Sequence, residues 1–123
     1  MSMAYYKDMI IYKKAFELAM DIFEISKRFP KEETYSLTDQ IRRSSRSVCT
    51  NFAEAYRRRK YLAHFVSKLT DSDSENSETE VWIEFAFACK YISTEEHLSL
   101  STKNTEVGKI LGSMIKDPGK FIN

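Results

Sequence analysis

Four stretches of the chain place apolar residues three or four positions apart, which is the spacing of an amphipathic helix. Pro30 and the capping pair Ser93 and Glu96 mark boundaries between stretches, and Asp117-Pro118-Gly119 ends the last one. The predicted helices span residues 8–29, 37–57, 61–92 and 94–116. Because the connectors are short, the chain is predicted to fold as one domain over residues 1–123, an all-α antiparallel up-down-up-down four-helix bundle.

The first predicted helix carries two neighbouring apolar ridges, with Asp8 as its expected N-cap. The first ridge consists of Ile11, Ala15, Leu18, Ile22, Ile25 and Phe29, and the second of Tyr12, Phe16, Ala19 and Phe23. A helix that faces one small bundle needs a single stripe. Two interpretations stay open: deep burial within one chain, or contacts with neighbours on two sides.

The third stretch contains a polar interruption, residues 70–77, with no apolar residue. Propensity alone predicts a loop there. The heptad phase nevertheless continues through it: Phe65, Leu69, Ser72, Asn76, Thr79, Ile83, Ala86. We therefore favour one long helix whose small polar residues face inward and form hydrogen bonds to a partner helix. A hairpin about Ser93 would place the apolar stretch 107–115 opposite residues 73–80 and cover this polar segment.

The second predicted helix, which Ser36 and Asp39 are expected to cap, separates an apolar seam from an arginine face. On a helical wheel the seam falls within about 40° of one line. Its members are Leu37, Ile41, Val48, Phe52 and Ala55. Arg42, Arg46 and Arg57 fall between about 100° and 160° from it, and Arg43 lies near 200°. This arginine face is the main functional clue in the sequence.

Charge is segregated along the chain although the formal net charge is only +1. Residues 31–60 contain eight basic and four acidic side chains, whereas residues 61–99 contain two basic and eight acidic ones. Such an arrangement can steer partners or join copies of the chain. The basic run 57–60 also suits a helix C-terminus, where cations are favoured, so it has a purely structural interpretation as well.

The sequence contains no motif typical of an enzyme or a metal site. The alternating acids that begin at Asp71 lack the Gly and Glu that a calcium-binding EF-hand needs, and His64 and His97 lack a metal-ligand motif. Cys49 and Cys89 have no metal or redox spacing, so both are expected to be reduced, small apolar side chains. We therefore expect no enzymatic activity, no cofactor, no metal and no small-molecule substrate.

Neither a secretory signal nor a membrane-spanning segment is evident. The first eleven residues lack a charged head followed by an apolar core, and no apolar run approaches the ~20 residues that span a bilayer. The expected location is the cytoplasm, without a membrane partner.

A cluster of basic residues is the candidate binding site. Arginine suits phosphate because its planar fork makes two hydrogen bonds and stays charged. Tyr56, Tyr61 and His64 adjoin the cluster and are candidates to stack on unpaired bases. The candidate nucleic-acid-binding residues are Arg42, Arg43, Arg46, Arg57, Arg58, Arg59 and Lys60. The alternative is a protein–protein adaptor whose arginines make ion pairs with the acidic third helix of a neighbouring copy or a partner.

Several segments together resemble the S23 ribosomal, or 23S rRNA intervening-sequence, protein family, to which the accessory proteins of diversity-generating retroelements are related. They are Tyr6-Lys7-Asp8-Met9, Phe29-Pro30-x-Glu32, Leu37-x-x-Gln40-Ile41-Arg42-Arg43, Ser47-Val48-x-x-Asn51-Phe52-Ala53-Glu54-Ala55 and Ser74-Glu75-x-x-x-Thr79. The resemblance spans residues 5 to 116. It implies a four-helix bundle with an unbroken third helix, assembly into a pentameric ring, and association with ribosomal RNA or another nucleic acid. The sequence departs from the family pattern at Ala55, where Gly is common, and at Cys49-Thr50.

Overall fold

The computed structural model describes residues 6–121 and contains four α-helices. They are α1 (Ile10–Ser26), α2 (Leu37–Arg57), α3 (Leu62–Ala88) and α4 (Thr94–Lys116). Each helix packs on the next one along the chain, and α4 returns to pack on α1. The diagonal pairs, α1 with α3 and α2 with α4, bring no Cα atoms within 8 Å of each other, and the expected antiparallel four-helix arrangement is confirmed. Three short 3-10 helices, Tyr6–Asp8, Lys31–Glu33 and Pro118–Phe121, lie at the ends of the bundle.

The helix bounds agree with the predicted ones for α2 and α4 and differ for α1 and α3. Helix α1 ends at Ser26 rather than residue 29, because the next three amides, up to Phe29, bond three residues back and tighten the chain before Pro30. Its N-cap is Met9, whereas Asp8 belongs to the first 3-10 helix. Helix α3 begins at Leu62 rather than residue 61.

The end of α3 was predicted too late. Two backbone amides just after the helix donate hydrogen bonds to carbonyls of its last turn: Lys90 N to Phe87 O, and Tyr91 N to Ala86 O, both at 2.9 Å. This is a Schellman motif, and Lys90 takes the left-handed φ of 63° that the motif requires. The helix therefore ends at Ala88 instead of residue 92.

Different residues cap α2 and α4. The predicted capping box at Ser93 and Glu96 is present, with both reciprocal hydrogen bonds. At α2 Ser36 occupies the N-cap position as predicted, but its side chain accepts no bond from the helix amides. Instead the Glu33 carboxylate accepts from the Leu37 amide at 3.2 Å and from the Ser36 hydroxyl at 2.6 Å. A preceding 3-10 helix places this carboxylate at the N-terminus of α2.

The core consists of two apolar clusters separated by a polar layer. One cluster surrounds Phe52, Phe65 and Leu111, and the other surrounds Leu18, Ile41 and Ile83. The apolar seam predicted for α2 is buried along its whole length. In α1, the first ridge contributes Ile11, Ala15, Leu18 and Ile22 to the core. The second ridge divides, since Ala19 is buried while the Phe16 side chain is 50% exposed.

The polar segment of α3 is helical and its phase-keeping residues face inward, as predicted. Ser72, Asn76 and Thr79 are all buried. The Ser72 hydroxyl donates to the Val48 carbonyl at 2.8 Å, and the Thr79 hydroxyl contacts that of Ser44 at 2.9 Å. These bonds join α3 to α2 through the centre of the bundle.

The partner of Asn76 is polar, which corrects the expectation that apolar residues cover this segment. The Asn76 amide donates to the Asn104 carbonyl, and the Asn104 amide donates to the Asn76 carbonyl and side-chain oxygen, each at 3.0 Å. Gly108 adjoins the pair, since a Cβ built there would lie 3.2 Å from Asn76 Nδ2. The amide pair therefore fixes the register between α3 and α4.

Candidate nucleic-acid interface

Arg42 and Arg46 lie on one aromatic ring. Both guanidinium groups lie over the Phe23 ring of α1, at 4.8 Å and 5.6 Å from its centroid. Arg42 Nε also donates to the Ser26 hydroxyl at 2.7 Å. Within residues 6–121, neither guanidinium has a carboxylate partner within 4.0 Å. Two positioned, uncompensated guanidinium groups can therefore accept an external anion with little loss of side-chain entropy.

These arginines open onto a shallow groove of about 460 Å³ along α2. Most of its lining can donate hydrogen bonds: Thr34, Thr38, Arg42, Arg43, Arg46, Ser47 and Thr50. The exception is Asp39, whose carboxylate would repel an anion at the N-terminal end of the groove. A bound phosphate is thus favoured towards Arg46 and Ser47.

Arg43 differs from its neighbours because its charge is neutralised within the chain. Its guanidinium pairs with Glu78 at 2.5 Å and Glu75 at 3.8 Å, and it also bonds the Gln40 side chain. The acidic third helix therefore does receive an arginine of α2, but from the same chain. We place Arg43 among the groups that join α2 to α3, so its predicted role in binding nucleic acid has no support from the geometry.

The basic run 57–60 ends α2 and begins the turn to α3. Arg59 folds back on Tyr56, donating to its carbonyl at 2.9 Å and lying 4.2 Å from its ring centroid. Arg57, Arg58 and Lys60 are exposed. Within the described part of the chain none of these three has an ion pair. They are available to an external partner.

The aromatic side chains predicted to stack on bases differ in their solvent exposure. Tyr56 is buried and covered by Arg59, so its ring cannot stack on a base. Tyr61 is 65% exposed and meets His64 edge-on, with ring centroids 6.2 Å apart. Only Tyr61 and His64 remain as candidates. The sequence had not indicated Phe23, which organises the two groove arginines, because its contact depends on how α1 crosses α2.

Ion pairs elsewhere connect the helices. Lys68 of α3 holds Glu54 of α2 at 2.8 Å, and this hydrogen bond raises the pKa of Lys68 and lowers that of Glu54. Lys103 of α4 pairs with Glu17 and Asp21 of α1, which raises the Lys103 pKa. These pairs join adjacent helices but do not neutralise the segregated charge. Within residues 6–121, the basic segment 31–60 is paired with acidic residues of the segment 61–99 through Arg43, which bonds Glu75 and Glu78.

Other kinds of site have less support. Over residues 6–121 no three His, Cys, Asp or Glu side chains converge as metal ligands. No helix there is both long and apolar enough to cross a membrane. Cys49 and Cys89 are both free thiols; Cys49 is buried and Cys89 is exposed.

The fold and this surface define an all-α antiparallel bundle with uncompensated basic side chains along α2. The chain belongs to the family of 23S rRNA-intervening sequence proteins, whose pattern it matches over residues 7–113. It is similar to a crystal structure of a protein of unknown function from the S23 ribosomal protein family of Bacteroides thetaiotaomicron. The two are 32% identical with a TM-score of 0.79, covering 87% of this chain and 99% of that one. No protein with a curated description matches the chain.

Among the segments that carry the family resemblance, residues 51–55 contribute to the core rather than to the basic surface. Phe52 and Ala55 are completely buried, and the Asn51 side chain donates to the Ser47 carbonyl at 2.9 Å. Ala55, which stands where the family commonly has Gly, fits its buried position without disturbing α2. The buried residues of this segment and the basic side chains of the candidate interface thus occupy different faces of α2.

Proposed function

We propose that this protein is a non-enzymatic cytoplasmic RNA-binding bundle. Its contacts to the RNA backbone come from the basic side chains of α2 that have no carboxylate partner: Arg42, Arg46, Arg57, Arg58 and Lys60. The observation that carries the proposal is the pair of guanidinium groups held on the Phe23 ring without a counter-ion. The family name, which refers to ribosomal RNA, makes RNA the preferred ligand.

The spacing of these side chains fits an extended polyanion. Arg46 and Arg57 are eleven residues apart, so they lie within about 20° of one line on α2 and about 16 Å apart along it. Their separation requires a ligand with several phosphates, because one phosphate cannot reach both. An RNA segment that follows α2 would meet the groove arginines first and the run 57–60 next.

The test is a fluorescence-anisotropy titration with labelled ribosomal RNA fragments. The double variant Arg46→Glu/Arg57→Glu removes two exposed cations that have no ion pair within residues 6–121, although Arg46 packs over the Phe23 ring. The control, Lys31→Glu/Lys109→Glu, changes the net charge equally at exposed positions off this line. The proposal predicts that only the first variant loses affinity, by about tenfold or more. Equal affinities of both variants would refute it.

We also propose that copies of the chain associate into a ring, for which the family resemblance implies five members. The support is a pair of exposed apolar stripes on the diagonal helices. Phe16 and Met20 lie on α1, and Val81 and Phe85 lie on α3. Arg42 and Arg46 of α2 lie over Phe23, which follows Met20 by about one turn of α1, whereas the α3 stripe has Glu80 and Glu84 next to it in the sequence. Complementary stripes on opposite sides of one chain favour head-to-tail contacts, which close into rings.

Light scattering after size exclusion tests the assembly. Phe85→Glu should reduce the mass to that of smaller species, whereas Leu98→Glu, at an exposed residue of α4, which carries neither stripe, should not. A monomeric wild-type protein would refute the ring. If Arg46→Glu/Arg57→Glu dissociates the ring while RNA binding is absent throughout, the arginines serve subunit contacts. That result would favour the adaptor function.

A further inference from the structure

One end of the bundle gathers basic residues from three separate parts of the sequence. The turn between α2 and α3 lies there, together with the start of α1 and the end of α4. The first 3-10 helix contacts α2, and the last one contacts α3. Side chains of all these elements meet in one apolar cluster, which includes Tyr6, Tyr56 and Phe121. We call the exposed surface formed by residues 6–8, 57–60 and 116–121 the basic end.

The basic end carries a large excess of positive charge. It contains seven basic side chains, Lys7, Arg57, Arg58, Arg59, Lys60, Lys116 and Lys120, against two acidic ones, Asp8 and Asp117. Lys120 is paired with Asp117 at 3.5 Å. At the opposite end, residues 27–36 and 89–96 contain four basic and four acidic side chains. The excess is therefore a property of one end and not of helix termini in general.

Helix-dipole complementarity accounts for only part of this positive charge. It explains Arg57 and Lys116, which lie at helix C-termini. Lys7 and Lys60, however, lie just before the N-termini of α1 and α3, where a cation is unfavourable. Neither of these N-termini has an acidic residue in its first turn or a side-chain cap. By contrast, α2 and α4 have Asp39, Glu95 and Glu96 in theirs.

We infer that the basic end binds the phosphates of a single-stranded nucleic-acid segment, with Lys7 and Lys116 as phosphate contacts. The inference rests on the proposed function and extends the RNA surface from the side of α2 around the end of the bundle. Arg57, Arg58 and Lys60 connect the two surfaces. Tyr61 follows Lys60 directly and is 65% exposed, so an unpaired base can stack on it. This aromatic ring favours a single strand over a duplex or an inorganic polyanion.

The test compares two charge-reversed proteins in anisotropy titrations with a single-stranded RNA and with the same sequence as a duplex. Lys7→Glu/Lys116→Glu changes the basic end, and Lys31→Glu/Lys90→Glu is the control at the opposite end. The variants are matched, because Lys7 and Lys31 lie in 3-10 helices while Lys116 and Lys90 are exposed at the ends of α4 and α3. Circular dichroism of both variants should match that of wild-type protein, which checks that they are folded.

We expect Lys7→Glu/Lys116→Glu to weaken single-strand binding by about tenfold or more and the control to change it less than twofold. Tyr61→Ala, made alone in the wild-type protein, should also weaken single-strand binding and should leave duplex binding unchanged. If wild-type protein binds RNA and Arg46→Glu/Arg57→Glu weakens it, but the two lysine variants bind equally, the basic end is refuted and the proposed function stands. If wild-type protein binds no RNA, both the proposed function and the inference about the basic end are refuted.

Discussion

The reciprocal amide pair of Asn76 and Asn104 should contribute more to stability than any surface ion pair. Truncation by Asn104→Ala removes two hydrogen bonds and leaves the buried Asn76 side-chain oxygen without a donor. An unsatisfied buried acceptor costs about 1–3 kcal/mol. The cavity left by the amide, about 40 Å³, adds about 1 kcal/mol. The better helix propensity of Ala returns about 0.5 kcal/mol.

The net expectation is a loss of about 1.5–3.5 kcal/mol in the free energy of unfolding. Urea denaturation followed by circular dichroism measures it, at one fixed protein concentration because association shifts apparent stability. Thr105→Ala, at the next, exposed position of α4, is the control and should stay within about 0.5 kcal/mol of wild type. The double variant Asn76→Ala/Asn104→Ala should lose less than the sum of the single losses, by about 1 kcal/mol or more.

An Asn104→Ala loss no larger than that of Thr105→Ala would contradict this reasoning. Additive losses in the double-mutant cycle would show that the two side chains do not act as a pair. Either result would mean that solvent or a rearranged side chain satisfies Asn76, and that the register between α3 and α4 is set by the apolar clusters alone.

Three further predictions concern local features of the bundle. Lys90→Gly should stabilise the protein by about 1 kcal/mol in urea denaturation, because glycine adopts the left-handed φ of 63° without strain; an unchanged midpoint would contradict this. In a native thiol titration only Cys89 should react, because burial raises the pKa of Cys49 to about 11, whereas in urea both should react; two fast native thiols would show that the core opens. Glu33→Gln should destabilise α2 at pH 7 by about 1 kcal/mol. The pKa of Glu33 is lowered by hydrogen bonds from Ser36, Tyr91 and the Leu37 amide. The extra stability of the wild-type protein over Glu33→Gln is therefore fully present above pH 4.5 and is lost as the pH falls through that lowered pKa. A constant difference in stability between pH 7 and pH 3 would contradict this.

Periodicity predicted the bundle well because the apolar seam depends on spacing within each helix. The same argument recovered the polar segment of α3, since Ser72, Asn76 and Thr79 keep the phase of their apolar neighbours. What spacing cannot provide is the identity of the partner across the seam. Asn104 interrupts the apolar pattern of α4, and only the relative register of the two helices shows that it meets Asn76. The cap at Glu33 was missed for a similar reason, because a 3-10 helix places it there.

The candidate interface was predicted as a set of residues but not as a surface. Wheel angles correctly grouped Arg42 and Arg46, yet they do not reveal which charges are neutralised by another helix. Arg43 is paired with Glu78, and Arg59 covers Tyr56. The contribution of Lys7 to the basic end was not foreseen, because it comes from a segment distant in sequence from the arginines. Partner assignments of this kind require the three-dimensional packing.

The salt dependence of RNA binding tests the central claim most directly. For single strands, the slope of log K against log salt concentration changes by about 0.7 for each phosphate contact. If Arg46 and Arg57 each contact a phosphate, the slope for Arg46→Glu/Arg57→Glu should be about 1.4 units shallower than that for wild-type protein. The Lys31→Glu/Lys109→Glu control should keep the wild-type slope. Identical slopes for all three proteins would contradict the account.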